Sequence, residues 1–234
     1  MRLTILLDLD GVLFNSVHEV YQVCERAAKK NTNLQCGIDF SEFAKFRRYV
    51  TDAWQFGRLY DKTRRITNYD AVMGLSPDKE DLAYADAFFQ ERQILMENPE
   101  WPRLMVPYEI FYKLTPLINR NPSLFKIVST RNEESIRRSL NYYGVQNIEI
   151  RGQESIRRFS SKMMAVESCG WIDEKAYVLY IDDMRAHLDP FRPCVDLCVH
   201  AGWGYDAAGT GSYTQKQVFD LVNGLVTLWR GEKE

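Results

Sequence analysis

The chain reads as an α/β protein, a mainly parallel β-sheet core interrupted by a helical insertion. Short, continuous apolar runs recur at 3–7 (LTILL), 124–128 (LFKIV), 177–181 (YVLYI) and 194–199 (CVDLCV), with a weaker one at 147–150 (NIEI). Runs of that length without alternation mark strands buried on both faces, as in parallel sheets. Helical patterns separate the later runs, and strands alternating with helices argue a parallel sheet. From about residue 17 to 105 that alternation stops, and helical patterns follow one another with no clear strand.

Taken in order, the first strand runs directly into Asp8, Asp10 and Gly11. The segments 17–30, 40–65 and 76–98 then read as helices, and the second half of the core begins near Pro107. The expected division is a core of residues 1–16 and 106–234 with residues 17–105 inserted after the first strand. The segment 132–144 (NEESIRRSLNYYG) has an asparagine and acidic residues at its start and a glycine at its end, which are helix start and stop signals. Serines open 160–170 (SSKMMAVESCG) and Gly170 closes it. Residues 214–231 carry apolar side chains at three-and-four spacing and read as a terminal helix.

The bulk numbers exclude several classes. At 234 residues the chain suits one domain with an insertion or two modest domains, and 45% apolar and 26% charged content are ordinary globular values. Thirty basic and 32 acidic residues create no global field that would mark a nucleic-acid or membrane binder. Only five apolar residues precede Asp8, too few for a signal peptide, and no apolar run approaches a membrane span. With five cysteines and no CxxC, a cytoplasmic protein with reduced thiols is expected. Cys194, Cys198 and His200 lack a zinc-site spacing. Within the insertion, residues 45–65 hold seven basic groups against two acidic ones, while residues 66–109 hold three against nine. Two solvated helix faces would explain this. So would a cationic wall for an anionic substrate, built from Arg47, Arg48 and Arg58 with Trp54 and Tyr60.

Ligands of open α/β sheets bind beyond the carboxyl ends of the strands. There the sequence places Asp8 and Asp10, then Ser129, Thr130, Arg131 and Asn132, then Asp182 and Asp183, with Lys162 opening a helix. Four gathered carboxylates call for a cation, and Mg²⁺ takes oxygen ligands. A lysine and a hydroxyl beside such an ion could cradle a phosphate, one aspartate could attack phosphorus, and another could shuttle a proton. Singly, each signal has a plain alternative. Asp-Gly is a turn signal, Ser129 or Thr130 could serve as a helix cap, and Lys162 could be a surface lysine. The order and the strand-end placement of the set are what point to chemistry.

"DLDGVLFNS" resembles the first motif of the haloacid dehalogenase-like phosphohydrolases. "FKIVSTR" resembles their second motif, Lys162 is placed like their third-motif lysine, and "YVLYIDDM" resembles their acidic fourth motif. "AGWGY" (201–205) is similar to a loop of the phosphoglycolate phosphatase branch. The resemblance covers the core; the insertion is matched only in being helical and placed like a cap. It implies a Rossmann-like sheet with the first strand between the second and the fourth. By the same resemblance, Asp8 is nucleophile and Mg²⁺ ligand, and Asp10 is general acid/base and gives its backbone carbonyl to the metal. Ser129 holds phosphoryl oxygens, with Thr130 and Arg131 beside it; Lys162 steadies Asp8 and the phosphate. Asp183 with Asp182 completes the metal site, and which of the two touches the ion stays open. The positions where the fourth motif often has a further aspartate are His187 and Leu188. Dehalogenases of the superfamily lack the second aspartate, so Asp10 argues against halide displacement.

The expected function is a Mg²⁺-dependent phosphatase of a small phosphorylated metabolite, working through an aspartyl-phosphate under a helical cap. Alternatives are a phosphomutase, a nucleic-acid or nucleotide phosphatase, and a non-catalytic module that binds a phosphorylated ligand.

Overall fold

The computed structural model describes residues 2–30, 37–61, 75–206 and 209–231. They fall into two compact units, Met1–Asn15 with Val106–Glu234, and Ser16–Met105. In chain order the strands are β1 (Arg2–Leu7), β2 (Phe14–Asn15), β3 (Val106–Pro107), β4 (Phe125–Val128), β5 (Glu149–Arg151), β6 (Ala176–Asp182), β7 (Leu197–Ala201) and β8 (Ser212–Tyr213). The helices are α1 (Val17–Lys30), α2 (Phe40–Phe46), α3 (Ala53–Tyr60), α4 (Lys79–Met96), α5 (Glu109–Arg120), α6 (Glu133–Tyr142), α7 (Gln153–Phe159), α8 (Lys162–Glu167), α9 (Arg185–Leu188) and α10 (Gln215–Gly231).

In the first unit, six strands form one sheet in the order β5-β4-β1-β6-β7-β8. Every pairing in it is parallel. β1 lies between β4 and β6, as the family likeness implies. Leu7 stands opposite Ile127 on one side and Ile181 on the other, so the three central strands end together. The strand expected at 194–199 forms instead over Leu197–Ala201. A short turn with backbone bonds from Cys194 and Val195 to Phe191 O occupies the earlier residues, and the Asp196 carboxylate accepts from Val178 N at 2.8 Å.

Alternation along the strands decides what each face carries. Leu6, Val178 and Tyr180 pack with Val128, Val166, Trp171, Leu188 and Phe191 in one buried cluster. Tyr180 and Phe191 rings are 4.2 Å apart. Helix boundaries follow cap chemistry. Asn132 accepts from Ser135 N at 3.2 Å to open α6, and Gly144 ends that segment at φ +82. Ser161 accepts from Met164 N at 3.1 Å to open α8. Fixing the first turn of α8 in this way sets the direction of Lys162, the residue after the cap. A two-stranded antiparallel ribbon, β2 with β3, pairs Phe14 with Pro107 and Asn15 with Val106.

The second unit is helical. Its centre holds stacked aromatic rings, Phe56 and Phe88 at 5.1 Å and 16°. Charged residues share that interior. Arg92 makes two bonds to Glu19, at 2.9 and 3.1 Å, and Glu19 also faces Trp101 Nε1 at 3.4 Å. Glu91 is paired with Arg26 and Lys30. The helical reading of 40–65 breaks at residues 47–52. A single 3₁₀ turn covers Arg47–Tyr49, and Asp52 starts a new helix through a capping box with Gln55. Lys62, Arg64, Arg65 and Cys36 lie outside the described residues. Cys24, Cys169, Cys194 and Cys198 are free thiols. Among the described residues no helix is long and apolar enough to cross a membrane.

Candidate active site

The strand alternation that buries Leu6 and Tyr180 carries one step further to Asp8 and Asp182, which emerge on the same face at neighbouring strand tips. Asp8 N continues the ladder by donating to Ile181 O at 2.9 Å. α8 covers that face with Val166, and Lys162 sits one turn before it. Lys162 Nζ is therefore 3.1 Å from Asp8 Oδ1 and 2.8 Å from Asp182 Oδ2. All three residues are buried, Asp182 at 0% exposure.

His187, on α9, completes the cluster. Its Nδ1 is 3.2 Å from Lys162 Nζ and 3.3 Å from Asp182 Oδ1. Donor atoms of Asp8, Asp182 and His187 lie within 4.8 Å of one another, a spacing that suits a cation. The ammonium of Lys162 already stands among these three groups. Asp182 is also saturated by other donors: Tyr180 OH bonds to Oδ2, and Met184 N donates to Oδ1 at 2.8 Å.

Burial governs the charges here. It pushes the Asp8 carboxyl up to about 6; the Lys162 ammonium opposes the rise, and the neighbouring Asp182 adds to it. Burial would raise Asp182 too, but Lys162 and His187 outweigh it and hold that carboxyl well below the usual range. Burial would lower Lys162, yet Asp182 and Asp8 keep it above its ordinary value. The cluster is thus an ammonium held by two carboxylates, with Asp8 the one closer to neutral pH.

Asp183, the residue that follows β6, meets different partners from Asp182. Its Oδ2 accepts from Tyr205 N at 2.6 Å. Two glycines leave room for it. A Cβ on Gly11, at φ +89, would fall 2.1 Å from Asp183 Oδ2, and one on Gly204 would fall 2.2 Å from Asp183 Cβ. Asp183 therefore lies against the backbone of the turn that follows β1. His200 Nε2 is 2.9 Å from Asp183 O, and burial lowers the pKa of that imidazole.

Asp10 sits in the same turn, where Gly11 N donates to Phe14 O at 2.8 Å. Arg131, buried, grips it with two bonds, Nε to Oδ2 at 2.9 Å and Nη2 to Oδ1 at 3.0 Å. Ser129 is buried, and its Oγ accepts from Arg131 N at 3.3 Å. Thr130 is exposed. The core candidates thus divide into a Lys162–Asp8–Asp182 cluster, an Asp10–Arg131 pair next to Ser129, and Asp183 in its glycine cradle. The arginines expected to meet substrate belong to the helical unit and have partners there. Arg47 donates to Val50 O at 2.8 Å, and Arg48 to Lys45 O at 3.3 Å. Arg58 forks onto Asp81 and lies over the Trp54 ring at 5.3 Å. Tyr180 was not singled out from sequence; His187 was noted only as standing where the fourth motif often has an aspartate, and His200 only as lacking a zinc-site spacing. A polar side chain one helical turn past the fourth-strand aspartates was the available signal for His187.

Two aspartates after the central strand, a lysine on the covering helix and an acidic pair at the next strand tip stand on an α/β core whose fold resembles that of the haloacid dehalogenase-like proteins. No family model matches the chain, and no curated protein does. Solved structures match over nearly their whole length. One is a candidate phosphoglycolate phosphatase from Lactobacillus delbrueckii subsp. bulgaricus, at 11% identity and TM-score 0.65, covering 95% of this chain and 99% of its own. A candidate haloacid dehalogenase-like hydrolase from Bacteroides fragilis matches at 15% identity and TM-score 0.62, covering 89% and 91%. A haloacid dehalogenase-like hydrolase from Streptococcus pneumoniae matches at 12% identity and TM-score 0.63, covering 94% and 98%. At these identities the likeness is one of fold.

Proposed function

We propose that the protein is a Mg²⁺-dependent phosphatase of a small phosphate monoester, acting through an aspartyl-phosphate on Asp8. The observation that carries this reading is the buried Asp8 carboxylate at the tip of the central strand, 3.1 Å from the ammonium of Lys162. An Asp8 oxygen attacks phosphorus, the ester P–O bond breaks, and the departing oxygen takes a proton from Asp10. Water then attacks the aspartyl-phosphate, Asp10 accepts the water's proton, and phosphate leaves. Over the cycle one ester and one water become one alcohol and one phosphate. Lys162 and the Ser129 hydroxyl offset charge on the phosphoryl oxygens. Arg131 holds Asp10 in register for both transfers.

The donor chemistry fits a hard divalent cation. Asp8 Oδ1 is buried, with the Lys162 ammonium 3.1 Å away, and offers a hard anionic oxygen to such an ion. Asp8, Asp183 and the Asp10 carbonyl would hold the ion, with Asp182 reserved for Lys162 because both its oxygens already accept strong donors. When bound, Mg²⁺ supplies Lewis-acid stabilisation of the phosphoryl oxygens. Arg47, Arg48 and Arg58 stay the candidate substrate contacts of the helical unit, Arg58 being forked onto Asp81. The names of the similar structures make 2-phosphoglycolate the first ester to try, within a screen of phosphorylated metabolites read by phosphate release. Turnover that survives both EDTA and Asp8→Asn would overturn the reading.

A further inference from the structure

A chain of polar groups behind the acidic pair has an unambiguous donor order. The carbonyl of Asp183 can only accept, so His200 Nε2, 2.9 Å away, carries the proton. His200 Nδ1 is 2.7 Å from Ser212 Oγ. That oxygen already accepts from Gly209 N at 2.9 Å and from Arg185 Nη2 at 3.0 Å. Its own O–H is therefore the group that points to Nδ1, which accepts as the bare nitrogen of a neutral imidazole. Every donor and acceptor is used once, and no other tautomer satisfies all four contacts. The ring is buried at 3% exposure, and the Asp206 carboxylate stands off at 3.7 Å from Nε2.

We infer that His200 is a positioning residue for the metal site. It fixes the main chain of Asp183, while Ser212, Gly209 and Arg185 fix His200. The Asp183 carboxylate also accepts from Tyr205 N and lies against the close backbones of Gly11 and Gly204. Anchoring the carbonyl sets the direction in which the carboxylate leaves the chain. Partners behind a ligand commonly tune metal affinity by about 10–100-fold. The inference rests on Asp183 being a Mg²⁺ ligand, as proposed above.

The test is calorimetric titration of the full chain with Mg²⁺, without substrate, alongside thermal melting of the metal-free protein. His200→Phe keeps the ring's bulk and removes both nitrogens; Mg²⁺ binding should weaken about tenfold or more. His200→Gln returns an N–H near the Nε2 position and should recover most of that loss. Ser212→Ala should weaken binding several-fold, and it decides the matter should His200→Phe fail to fold. A folded His200→Phe, or in its absence Ser212→Ala, that binds Mg²⁺ as the parent does would overturn the inference. If the parent binds Mg²⁺ and Asp183→Asn does not, that failure leaves the metal assignment standing. A parent that binds no Mg²⁺ overturns both.

Discussion

Replacing Lys162 by Met tests whether the candidate site is held by charge. The side chains have similar length, so the substitution removes an ammonium that lies 3.1 Å from Asp8 and 2.8 Å from Asp182. At an effective dielectric of about 20, each contact corresponds to roughly 5 kcal/mol of Coulomb attraction, much of it offset by desolvation. Taking one partner from a buried ion cluster typically costs about 3–5 kcal/mol. The amides of β1 and β6 should therefore exchange with deuterium roughly 10²–10⁴-fold faster in the metal-free variant at pH 8. The pH dependence follows from sign. Asp8 already titrates near 6 with the lysine present. Without it the carboxyl rises further and takes up a proton as pH falls, so the deficit should shrink at pH 5. Exchange within threefold of the parent at pH 8 would refute the electrostatic account of this cluster.

Four other outcomes are expected. Asp8→Asn should lower phosphate release by about 10³-fold or more while the fold, read by circular dichroism, is kept. Mg²⁺ affinity should drop about tenfold per pH unit below about 6, because the ion and a proton compete for Asp8, whose pKa stands at about 6 before metal binds; calorimetry at pH 5 and 7.5 reads this directly. Gly204→Ala should destabilise the core by about 1–3 kcal/mol and impair activity, since its Cβ would lie 2.2 Å from Asp183 Cβ; unchanged melting would show that the loop yields freely. In the helical unit, Lys30 leads in holding Glu91 below its usual range, with Arg26 helping and burial opposing. That stabilisation is present above the unfolded value near 4.5 and is lost as pH falls through the lowered one, so Glu91→Gln should flatten the acid limb of its unfolding curve.

The central sheet was readable because its strands are buried on both faces and its helices carry their own punctuation. Asn132, Gly144 and Ser161 cap or close helices where the sequence suggested. The two-residue strands β2, β3 and β8 left no periodic signal at all. The helical unit was harder, because its interior accepts charge. Asp81, Glu91 and Arg92 lie on the buried side of α4, paired with Arg58, Arg26 and Glu19, so apolar spacing alone misplaces that face. The same pairing accounts for part of the charge contrast between residues 45–65 and 66–109, since Arg58 finds its partners in Asp78 and Asp81. At the candidate site, strand-end placement singled out Asp8 and Asp182, and a helix start singled out Lys162. It could not show that adjacent Asp182 and Asp183 face different surroundings, or that Arg131 turns to Asp10, because both depend on contacts far apart in the chain.

The ribbon formed by β2 and β3 has a bearing on ancestry. It clasps the chain where residue 15 departs and residue 106 returns, so the sheet sees two strand ends already joined, whatever lies between them. A segment of almost any length could be exchanged at that clasp with little further closure entropy. The sheet unit and the ninety residues it frames, Ser16–Met105, are therefore free to diverge at separate rates.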